Sequence, residues 1–158
     1  MALAPLTLNL QQPDVASISL YDHFVELFGD NTIDLDDDVF KAELYTNAHV
    51  FAAANTQRSQ ISVNALATGN GYTNPGQNLS AVTWAHTGGV TTFDAADVVW
   101  TASGGPIGPA RYCVVYDDTT ISPLDALCFE ANLGSDGVAG DGADFSILWN
   151  ASGIFTVS

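Results

Sequence analysis

The last third of the chain, Thr91 to Ser158, most constrains the fold, because it reads as short apolar runs separated by Gly, Pro and Asp clusters. The runs are Val98–Trp100, Arg111–Tyr116, Leu124–Phe129, Phe145–Trp149 and Ile154–Val157. A chain that closes on an apolar strand is expected to have that end sewn into a sheet. Upstream, Val39–Tyr45 alternates: Phe40, Ala42 and Leu44 share one face, while Lys41 and Glu43 share the other, which the two-residue period predicts to be wet. Leu79–Ala85, with Trp84 as a core anchor, and Thr91–Asp94 read as further strands. Ile61, Val63 and Ala65 alternate with Ser62 and Asn64 and allow another, while residues 52–54 suit a helical turn or a surface loop. The stretches 69–76, Ser103–Pro109 and Gly134–Asp144 read as loops.

One segment has helical spacing. Leu20, Phe24, Leu27 and Phe28 recur on one face, Ser19 stands where a cap belongs, Asp22 lies in the first turn, and Gly29 is placed to supply a left-handed stop. One helix and about eight strands at this spacing predict a mainly β fold. The expected form is an antiparallel sandwich or jelly-roll-like domain over residues 18–158 with one N-terminal helix.

Residues 1–17 differ from the rest. Leu6, Leu8 and Leu10 alternate with Thr7 and Asn9, and Pro5 and Pro13 bracket the stretch and forbid a helix. The pattern predicts an extended arm with one apolar edge, which has to lie on its own domain or on a neighbour. Leu6, Leu8 and Leu10 are therefore the candidate partner-binding residues.

Composition narrows the function. The 158 residues carry 18 acidic and three basic side chains, for a net charge of −15. Nucleic-acid binding needs Lys or Arg to displace counterions from phosphates, and Lys41, Arg58 and Arg111 are too few and too scattered, so neither nucleic acid nor an anionic membrane is an expected partner. Residues 1–10 lack a basic start and an unbroken apolar stretch, so no secretory signal is expected there. Charged residues make up only 13% of the chain, which leaves a surface of Asn, Gln, Thr, Ser and Gly suited to contact.

No recognisable catalytic or cofactor pattern stands out, and neither an enzyme nor a bound cofactor is expected. The acidic turn Asp34–Asp38 lacks the spacing, glycine and closing Glu of a calcium loop, and SDGVAGDGAD at 135–144 is a single copy of a motif that needs tandem repeats. Solvated acidic turns are the expectation at both, with no metal. Cys113 and Cys128 sit in apolar runs and are expected to be free, buried thiols. Arg111, entering RYCVVY, is expected to pair with a carboxylate such as Asp97 or Asp117.

At these strands the chain resembles small virion proteins encoded among the structural genes of tailed bacteriophages. LYDHFVELF, IDLDDDVFKAELYT, GNGYT, DVVW, RYCVVY, SPL and WNASGIFTV occur in the same order as in that group, over residues 20 to 157. The resemblance implies a capsid decoration (cement) protein or an accessory head or tail protein, and the added arm favours decoration. It implies the major capsid protein as partner, a homo-oligomer with a trimer as first expectation, synthesis in the host cytoplasm and a place on the virion head. A tail or neck component, or a glycan- or receptor-binding module of a fibre, are the alternatives it leaves open.

Overall fold

The computed structural model describes residues 15–158. Leu6, Leu8 and Leu10 lie outside the described residues. The elements in chain order are β1 (Ser17–Leu20), α1 (Asp22–Gly29), β2 (Phe40–Tyr45), β3 (Gln77–Asn78), β4 (Thr83–Thr87), β5 (Val90–Asp94), β6 (Val98–Thr101), β7 (Ile107–Ile121), β8 (Leu124–Ala139), β9 (Asp144–Ile147) and β10 (Phe155–Val157). Among the described residues the protein is mainly β with a single α-helix, and every pair of strands is antiparallel, consistent with a β-sandwich.

The main sheet has the order β1-β8-β7-β2-β3, a second sheet runs β10-β5-β4, and β6 pairs with β9. Aromatic rings join the layers. Phe93 of β5 meets Phe40 of β2 at 5.5 Å and Phe129 of β8 at 6.1 Å, and Phe155 of β10 stacks on Phe93 at 5.1 Å. Phe24 brings α1 into the same cluster through an edge contact with Phe155 at 5.8 Å. Burying such rings removes large apolar areas from water and dominates the stability of the core.

The N-terminal boundary differs from the expected one. Ser17 is in the sheet rather than the arm, and Ala16 already donates its N–H to the carbonyl of Asn132. Ser19 does not cap the helix either. It pairs with Glu130 in β1–β8, and Tyr21, in extended conformation, is the capping residue, with its N–H donated to Cys128. Sheet pairing satisfies the backbone of Ser19, so its hydroxyl has no helix start to serve. The left-handed residue after α1 is Asn31, at φ 63°, not Gly29, and the N–H groups of Thr32 and Ile33 both return to the carbonyl of Leu27.

Two predicted loops are partly strand. β7 begins at Ile107 inside the Gly/Pro stretch, and β8 continues to Ala139, so residues 134–139 pair rather than loop out. Ile107 faces Ala139 and Ala110 faces Gly137, with register shifts between them. Irregular pairing of this kind absorbs Gly and Pro without ending a strand. The alternation at 61–65 misleads in the other direction. Residues 58–60 and 62–64 form 3-10 turns, and Val63 is 87% exposed. Trp84 is only half-buried, at the margin of the core beside Phe28 and Phe155. Among the described residues no helix is long and apolar enough to cross a membrane.

Candidate functional site: a charge-free cleft between two sheet edges

Three groups of ionisable side chains lie inside the fold. The largest centres on Glu43, which the two-residue period had placed on a wet face. It is fully buried, because β2 lies between β7 and β3 and is covered on both faces. Arg58 donates Nε to Glu43 Oε2 at 2.8 Å and a terminal nitrogen to Oε1 at 2.7 Å, a two-pronged pairing. Tyr45 donates its hydroxyl to Oε2 at 2.8 Å, and Asn74 donates Nδ2 to Oε1 at 2.9 Å. Four donors fill the acceptor sites of one carboxylate. The cluster is therefore saturated, and its role is to fasten the 57–76 segment to β2. The same segment is pressed tightly on β2 at Gly76, where a Cβ would run into the carbonyl of Ala42.

The second group pairs His49 Nε2 with Glu130 Oε2 at 2.7 Å, both buried, with the His49 ring between Tyr45 and Tyr112. The third joins Asp117 to Asp38 across the acidic turn. Oδ1 of Asp117 accepts the N–H groups of Thr119 and Thr120, while Oδ2 is buried and meets no N–H or hydroxyl donor. Burial first, and then the neighbouring Asp38 carboxyl, push Asp117 up to about 6 against the pull of those two amides. Neighbouring carboxyls resist being ionised together, which adds to the effect of burial. Within the turn Asp34 accepts the Asp36 N–H, and Asp36 reaches β4 by accepting the Trp84 N–H.

All three basic side chains are spent on acids. Lys41 meets Asp118 at 2.9 Å and Arg58 meets Glu43. Arg111 stands 3.8 Å from Asp136, not beside Asp97 or Asp117. Asp97 instead accepts the backbone N–H of Trp149, and Asp117 is turned inward to Asp38. Among the described residues no group of three or more His, Cys, Asp or Glu is arranged to hold a metal ion.

Cys113 and Cys128 are free and fully buried. Burial pushes both thiols well above their usual range, so neither forms the reactive thiolate near neutral pH. Folded protein is expected to leave an aromatic disulfide reagent unreacted, and urea-unfolded protein to titrate both thiols with no reductant added. A bridge found by mass spectrometry of the denatured, non-reduced chain would contradict this.

The open feature of the molecule lies elsewhere. A cleft of about 700 Å³ runs between β1 and the segment that leads from β9 into β10. Val15 and Ile18 form one wall; Trp149, Ile154, Phe155 and Thr156 contribute to the other. Among the described residues β1 and β10 are each the outermost strand of their sheets, so both walls present strand edges with no described partner. The second wall is firmly held. Trp149 donates its indole N–H to Ala96 at 3.2 Å, Ile154 donates its N–H to Phe93, and Asn150 accepts the N–H of Gly153 through its carbonyl and that of Ser152 through its side chain. Gly153, at φ 105°, turns the chain where a Cβ would strike Thr92.

Among the described residues no charged side chain lines the cleft. That is unusual in a chain of net charge −15 and has a sequence signal: residues 145–158 contain no acid or base, and neither do residues 1–13. The chain enters the described fold at Val15, on the cleft wall itself. The structure thus brings together the junction with the predicted arm and the last strand, residues about 140 apart in sequence. No family model, no curated protein and no solved structure matches the chain.

Proposed function

We propose that this chain is a structural contact protein of a virion: a decoration protein that binds the outer face of a phage head and stabilises the assembled shell by mass action. The observation that carries the reading is the cleft, which among the described residues has no charged lining and is edged by the outermost strands of two sheets, in a strongly acidic molecule. Unpaired strand edges accept extended segments through main-chain hydrogen bonds, and a lining with no carboxylate among the described residues leaves no lone charge to be buried when a partner docks. The resemblance to small phage virion proteins and the alternating Leu6, Leu8 and Leu10 support the same reading. The partners are then the major capsid protein and further copies of the chain, a trimer being the first expectation. With every basic side chain engaged by an acid, the exposed face suits the outside of a head rather than its packaged DNA.

The test is location. Antibody–gold labelling of intact virions should mark the head surface, and cryo-electron maps should show the chain on the outside of the shell. Label confined to the tail or neck would shift the assignment there, and absence of the chain from purified virions would overturn the reading.

A further inference from the structure

We propose that the carboxylates of Asp38 and Asp117 together hold a divalent cation, calcium being the ion their chemistry suits best. The inference is independent of the virion reading and concerns a site within the fold itself.

The acidic turn alone carries no such claim, because its spacing is not that of a calcium loop. The added observation comes from β7. Asp117 is fully buried, and its Oδ1 is held by the N–H groups of Thr119 at 2.6 Å and Thr120 at 3.2 Å. Its Oδ2 is buried as well and, among the described residues, meets no donor. Buried polar atoms are ordinarily paired, so an orphaned carboxylate oxygen points to a missing partner. What stands beside it is the carboxyl of Asp38, which is a second acceptor.

Asp38 is held in place from its own side. Its Oδ2 accepts the N–H of Asp34 at 2.7 Å, and its N–H returns to the Asp34 carbonyl at 3.0 Å. Val39, the next residue, donates its N–H to Thr119 Oγ1 and accepts the N–H of Asp118, which ties the turn to β7. Backbone bonds thus bring the two carboxyls together, although two anions repel and one of these has left water entirely. The chain supplies no cation to offset them: Lys41 meets Asp118, Arg58 meets Glu43, and Arg111 stands nearest Asp136.

Carboxylates are hard oxygen ligands and select calcium or magnesium over metals that prefer thiolate or imidazole. Magnesium demands a near-ideal octahedron, whereas calcium accepts an irregular shell completed by water. Asp38 is only half-buried, so an ion and its waters can enter from that side, and the exposed Asp36 and Asp37 draw cations toward the entrance. With two carboxylates the affinity belongs to the weak class, a dissociation constant of about 10⁻⁴–10⁻³ M.

Melting of the full-length protein at pH 8, stripped beforehand with a chelator, tests the inference. Calcium chloride at about 10 mM should raise the melting temperature by roughly 3–6 °C beyond the effect of sodium chloride at matched ionic strength. Asp117→Asn and Asp38→Asn each keep an oxygen for the backbone N–H groups and should each lose this calcium-specific rise. Asp141→Asn, in the other acidic loop, keeps an oxygen for the Gly104 N–H and should retain the rise in full. Calorimetric titration with calcium should find one ion per unaltered chain and none in the Asp38 and Asp117 variants. Three results would overturn the proposal: calcium that does no more than sodium, a calcium-specific rise that survives in Asp117→Asn or Asp38→Asn, or one that Asp141→Asn removes as well. All of these readouts use free protein, so they stand or fall separately from the location of the chain on a virion.

Discussion

Replacing Arg58 with Ala should cost about 3–5 kcal/mol, because it leaves the fully buried carboxylate of Glu43 without its counter-charge. For a chain of this size that corresponds to a fall in melting temperature of about 10 °C. Arg58→Lys should recover only part of it, since an ammonium cannot reproduce the paired Nε and terminal-nitrogen bonds. The loss should also be local in its consequences. Asn74 bridges Glu43 to the carbonyl of Leu66, so weakening the carboxylate's hold loosens the 57–76 segment before the rest. Combining Glu43→Gln with Arg58→Ala should cost clearly less than the sum of the two single changes, because the uncompensated charge is gone. Thermal and denaturant unfolding of the four proteins measures this. A cost below about 1 kcal/mol for Arg58→Ala would mean that water reaches Glu43 in solution.

Asp117→Asn should stabilise the protein at pH 8 and do almost nothing at pH 4. The sign follows from the direction of the shift. Asp117 rises from the ordinary 3.8 to about 6, so the folded state holds this proton more tightly than the unfolded chain does. The favourable contribution is full below about pH 4 and is lost as pH rises through about 6. A difference of that size corresponds to about 2–3 kcal/mol. Asn keeps an oxygen for the Thr119 and Thr120 amides and removes both the buried charge and its repulsion with Asp38. Melting curves from pH 4 to pH 8 should therefore converge at the acid end and separate above pH 6. Parallel curves would place the proton on some other acid.

The strands were legible where alternation or an apolar run met no competing signal. β6, the cores of β7 and β8, β9 and β10 all fall within a residue or two of their sequence expectation. Sequence failed where a local rule depends on what covers a face. Glu43 alternates like a surface residue, yet β2 is a central strand, and its partner Arg58 sits 15 positions on, in a short turn with no pattern to link it to β2. The outer parts of β7 and β8 hid behind Gly and Pro, which mark loops only when no neighbouring strand supplies register. Ser19 looked like a cap because hydroxyls often are, but pairing with Glu130 claimed its backbone first. The cleft was illegible for a different reason: its walls come from opposite ends of the chain, and only the absence of charge at both ends hinted at it.

The engagement of every cation has a consequence for attack by trypsin-like proteases, which cut only after Lys or Arg. This chain offers three such bonds. One follows Lys41 inside β2, one follows Arg58 in the turn pinned to Glu43, and one follows Arg111 inside β7. A protease binds its target as an unpaired, extended strand, so strand pairing withholds two of these bonds and the Glu43 clamp withholds the third. Digestion of the native protein must then wait for the fold to open, at a rate set by the population of the opened state. The fold thus withholds its few Lys and Arg bonds from trypsin-like proteases with no disulfide to harden it.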